Sequence, residues 1–184
     1  MIEAATTLGD RMGIPVHQSP LRFKIQRWLY GAAGLDPLTP EDWLVELANR
    51  RGATVVFHDR MVPSGCRWPE RHEFSDEELV VALCQLNCAD RPQLLRLPAQ
   101  LISRGQLNLE ILLHLARLER ASRTLKELST QALKVEAYHP AWSWIAKALP
   151  NEKPFREPLI HWTRLAEPLF AAGRPNPIGW KLVA

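Results

Sequence analysis

The chain has 184 residues, 46% hydrophobic and 23% charged, and its 23 Lys and Arg against 20 Asp and Glu leave a formal net charge of +3. These proportions exclude general disorder, and no apolar run reaches the ~18 residues needed to span a bilayer. The N-terminus, MIEAATTLGDRMG, lacks a basic start followed by an apolar core, so the reading expects no secretory signal, no membrane partner and a cytoplasmic location.

Composition also selects a class. Leu and Ala together number 48, whereas Val, Ile and Thr number 24. Small and straight-chain residues lose little freedom in a helix, while β-branched residues are stiff at χ1 and favour strands. The expectation is an all-α, multi-helix bundle of about six to eight helices, with at most one short strand or hairpin near 53–57.

Start signals recur along the chain. Ser19-Pro20 sets an N-cap hydroxyl before a proline at the first helical position, and Leu21, Ile25, Trp28 and Leu29 follow at helical spacing. Thr39-Pro40-Glu41-Asp42 repeats the device before Trp43, Leu44, Leu47 and Ala48, and Gly52 is placed to end that helix. Ala53-Thr54-Val55-Val56-Phe57 is the one strand-like run, and a proline- and glycine-bearing loop follows it. Ser75-Asp76-Glu77-Glu78 has the form of a capping box, with Phe74 and Leu79 at the staple positions.

Asp90-Arg91-Pro92-Gln93 opens a further helix, in which Pro98 predicts a kink or break. Beyond Gly105, a long leucine-rich stretch is either one helix or two separated near Ser122. Pro140 starts a short helix that Pro150 ends, and its Trp142 and Trp144 point to different sides. The expected organisation is an N-terminal helical part (1–58), a loop or seam (59–74), a main bundle (75–172) and an irregular tail (173–184), or one continuous domain.

The near-neutral total conceals a polarised chain. Residues 39–90 hold five bases and ten acids, a net of −5, and residues 91–134 hold eight bases and three acids, a net of +5. Arg117, Arg120, Arg123 and Lys126 recur every three residues, so one continuous helix would present them as a cationic strip with Arg104 nearby. Such a strip attracts phosphate without reading bases, and also suits an acidic protein surface. Its bland alternative is the solvated face of amphipathic helices.

Cys66, His72, Cys84 and Cys88 fall within 23 residues, and Cys84 and Cys88 share a helical face. This composes a candidate zinc set, but the two helical cysteines sit in an apolar segment where cysteine acts as a small buried hydrophobe. Core packing is therefore the expected role, with no metal and no cofactor. No GxSxG, HExxH, P-loop or GxGxxG string is present. Ile178 and Trp180, in the apolar tail, are candidate partner contacts. The expected function is a non-catalytic helical subunit of a larger assembly, contacting nucleic-acid backbone or an acidic partner through Arg104, Arg117, Arg120, Arg123 and Lys126. The alternatives are a purely protein-binding adaptor, or a metal or enzymatic protein organised around His58–Cys88.

Overall fold

A computed structural model of the chain describes residues 19–30, 39–53, 67–85, 92–104, 107–150, 159–165, 167–168 and 175–176. Seven α-helices of eight residues or more account for most of them: α1 (Pro20–Tyr30), α2 (Pro40–Arg50), α3 (Asp76–Gln85), α4 (Arg96–Ser103), α5 (Leu109–Leu118), α6 (Ser122–Ala132) and α7 (Pro140–Ala148). A four-residue helix, α8 (Trp162–Leu165), follows. The only strand pairing among the described residues is a two-residue antiparallel contact of Glu167–Pro168 with Pro175–Asn176. Apart from that contact the regular structure of the described residues is helical, as composition implied. Residues 54–57, most of the strand-like run, lie outside the described residues.

The local start signals work as written. Ser19 Oγ accepts the Arg22 N–H at 3.0 Å, and Thr39 Oγ1 accepts the Asp42 N–H at 3.1 Å. Ser75 and Glu78 form a reciprocal box: Ser75 Oγ accepts the Glu78 N–H at 3.2 Å, and the Glu78 carboxylate accepts the Ser75 N–H at 2.7 Å. Phe74 and Leu79 are both fully buried at the staple positions. The helix expected to open at Asp90-Arg91-Pro92 is divided before Pro98. Pro98 is the third residue of α4, where its missing N–H removes no intrahelical bond, and the irregularity falls before it as a 3₁₀ turn over Pro92–Leu95.

Helix α3 is the centre of the packing. Its residues Leu79 to Cys84 are all buried, and it contacts α1, α2, α4, α5 and α6. A helix apolar on every side is stable only when covered on every side. One continuous hydrophobic cluster extends from Leu21 and Ile25 on α1 through α3 to Ile145, Ile160 and Leu165. On α2, Trp43 stacks on Trp68 with centroids 6.1 Å apart and takes Phe74 edge-on at 5.4 Å. No helix among the described residues is long and apolar enough to cross a membrane.

Two helices end in the same way with different residues. At α2 the Ala53 N–H reaches the Ala48 carbonyl at 2.9 Å and the Gly52 N–H reaches Asn49 at 2.8 Å, with Gly52 at φ 93°. At α5 the Ala121 N–H reaches Ala116 at 2.8 Å and the Arg120 N–H reaches Arg117 at 3.3 Å, with Arg120 at φ 58°. Both are Schellman closures, which need a left-handed residue. Glycine adopts that conformation freely, whereas an L side chain there costs about 1–2 kcal/mol. Arg120→Gly is therefore expected to raise the unfolding free energy by about 1 kcal/mol, less the entropy glycine adds to the unfolded chain. Gly52→Ala is expected to lower it, because a β-carbon at Gly52 would also collide with the Arg104 guanidinium. Paired urea titrations compare the two signs.

Candidate functional site

The closure at Arg120 divides the basic run. Arg117 lies in the last turn of α5, Arg120 in the turn and Arg123 and Lys126 on α6, so the strip drawn along a single helix does not form. Three of the five basic residues instead engage the carbonyl ends of helices. Arg104 donates Nη1 to the Arg51 carbonyl at 3.0 Å and Nη2 to that of Gly52, at the C-terminus of α2. Arg117 donates Nη2 to the Ala148 carbonyl at 3.0 Å. Lys126 Nζ donates to the carbonyls of Ala146 and, at 3.3 Å, Leu149. The last two residues converge on the C-terminus of α7, where unpaired carbonyls and the negative end of the dipole favour a cation. Arg120 is exposed, and its side chain has no hydrogen bond or ion pair to another described residue. Arg123 is half-buried on α6.

Acidic side chains perform the complementary task at N-termini. Glu119, only 2% exposed, accepts from Ser19 Oγ, from the Leu21 N–H at 2.9 Å and from Gln85 Nε2 at 3.2 Å. Its carboxylate therefore caps α1 from a position about a hundred residues away along the chain. Glu77 Oε1 accepts the N–H of Asn108, itself the N-cap of α5, at 2.7 Å. A third polar cluster joins α4 to α7: Glu136 accepts from Ser103 Oγ at 2.8 Å and from Trp142 Nε1 at 2.8 Å. The His139 ring donates from Nε2 to the Ser103 carbonyl at 2.9 Å, since that carbonyl can only accept. Arg51, whose side chain is 6% exposed, pairs with Asp76 at 2.7 Å and donates to the Phe74 carbonyl.

Sequence reasoning missed Glu119, Glu136 and Arg51 as structural anchors. The signal was faint in each case: an acid just beyond a helix end, or a base just before a glycine.

Of the metal candidates, Cys66 and Cys88 lie outside the described residues, as do His58, Ile178 and Trp180. Cys84 is buried on α3, while His72 is exposed in the turn before it. Among the described residues no group of three His, Cys, Asp or Glu side chains is placed to hold a metal ion.

The outer surface instead presents large apolar side chains. Phe23 on α1, Ile111 and Leu118 on α5, Tyr138 before α7 and Trp144 on α7 are all exposed. The two neighbouring tryptophans divide as helical geometry required, with Trp142 fully buried and Trp144 38% exposed. Compared with protein-family models, curated proteins and solved structures, the chain matches none.

Proposed function

We propose that the chain is a non-catalytic helical subunit that binds protein partners through the apolar outer side chains of α5 and α7. The observation that supports this is the division of labour on these helices. Arg117 and Lys126 are engaged with backbone carbonyls, while Ile111, Leu118 and Trp144 remain exposed. Large apolar and aromatic side chains left in water are the usual centres of protein contacts. Contact with nucleic acid or an acidic partner is the second reading, favoured by the exposed guanidinium of Arg120, which has no partner among the described residues.

Photo-crosslinking residues at Leu118 and Trp144, in the cells that make the protein, are expected to give protein adducts. Titration with labelled single- and double-stranded oligonucleotides is expected to show no salt-dependent binding. Salt-dependent binding that Arg120→Glu weakens would replace the first reading by the second.

A further inference from the structure

The geometry points to a second copy of this chain as the occupant of the outer face of α5. This inference rests on reading that face as protein-binding, and it names the partner.

Ile111 and Leu118 are 48% and 46% exposed. Seven residues apart, they differ by only about 20° around the helix, so they lie on one face with His114 and the half-buried Leu115 between them. The pattern Ile111, His114, Leu115, Leu118 is a short seam of the kind by which helices pair. It is nearly symmetric about a point between His114 and Leu115. An antiparallel, two-fold arrangement would set Ile111 against the partner's Leu118 at both ends.

Charge chooses the same arrangement. Glu110 stands exposed at the N-terminal end of the seam, and its carboxylate has no hydrogen bond or ion pair to another described residue. Arg117 and Arg120 stand exposed at the C-terminal end. Glu110 and Arg117, seven residues apart, flank the same side of the seam, so antiparallel pairing brings each Glu110 beside the partner's Arg117, in a two-fold, self-complementary contact. Parallel pairing would place like charges opposite one another. The seam is short, so the contact is smaller than a standard interface and the dimer is reversible.

Sedimentation analysis of the full chain over a wide concentration range, at low and moderate salt, tests this. The expected result is a monomer–dimer equilibrium that weakens with salt. Leu118→Glu should raise the dissociation constant more than about tenfold. Because Leu118 is exposed, an unchanged far-UV spectrum and melting curve should accompany that loss. Glu110→Arg should also weaken the dimer, and adding Arg117→Glu should restore it. A monomer at every concentration, or a dimer indifferent to Leu118→Glu and to the charge exchange, overturns the inference. A monomer that still crosslinks to another protein through Leu118 overturns self-pairing alone and leaves the protein-binding reading standing. Salt-dependent oligonucleotide binding removes that reading separately.

Discussion

Replacing Glu119 by alanine is expected to destabilise the protein by about 3 kcal/mol and to free α1 before the rest of the bundle unfolds. The buried carboxylate is the acceptor for Ser19 Oγ, the Leu21 N–H and Gln85 Nε2. Removing it leaves the backbone donor of α1 without a partner in a region closed to water, at about 1–3 kcal/mol for a buried unsatisfied group. The charge also sits at the positive end of α1, adding a favourable helix-dipole interaction. Glu119→Gln keeps an acceptor oxygen but loses the charge, so it should cost less. Amide exchange distinguishes a local from a global effect. The Leu21 and Arg22 amides should exchange much faster in Glu119→Ala, while the central α3 amides change only by the loss of global stability. Equal acceleration across the chain would show that α1 is not a separable unit.

Trp142→Ala is expected to have the largest effect of any single substitution, about 3–5 kcal/mol. The ring is fully buried, and its Nε1 donates to Glu136 at 2.8 Å. Deleting it opens a large cavity and removes one of the donors that hold the Glu136 carboxylate. Domains of this size are stable by about 5–15 kcal/mol, so the variant should be unfolded or nearly so at moderate temperature. Trp142→Phe separates the two contributions. It retains most of the volume and should lose about 1 kcal/mol for the hydrogen bond, together with a packing loss. Urea titrations followed by far-UV circular dichroism avoid the ambiguity of seven tryptophan signals.

These two residues show what was and was not visible beforehand. The helix class, the caps at Ser19, Thr39 and Ser75 and the staple at Phe74 and Leu79 were legible, because each depends on residues within one turn. The burial of Trp142 against the exposure of Trp144 was legible as an alternative, because 3.6-residue geometry separates them. The role of Glu119 was not, since its target at Leu21 is remote in sequence and only the packed fold brings them together. The basic strip failed for a local reason of a different kind. Helix continuity through Glu119–Ala121 was a fair inference where no glycine or proline interrupts, but Arg120 takes the left-handed conformation that glycine normally supplies.

The opposite charges of adjacent sequence segments consequently have an internal explanation. Acidic side chains such as Glu77 and Glu119 meet helix N-termini, and basic ones such as Arg104, Arg117 and Lys126 meet helix C-termini. Each is supplied by a helix, or the residue that closes it, other than the one it caps, so the polar contacts also fix how helices sit together. On α5, Glu110 stays exposed beside Ile111 and Leu118.

The most direct test of this account is the equilibrium unfolding of Lys126→Met, which keeps the aliphatic stem and removes only the ammonium group. If Lys126 caps α7, the variant loses about 2 kcal/mol, the value of a charge-assisted hydrogen bond in a partly buried site. Unchanged stability in Lys126→Met would contradict the capping role and return Lys126 to the solvated surface.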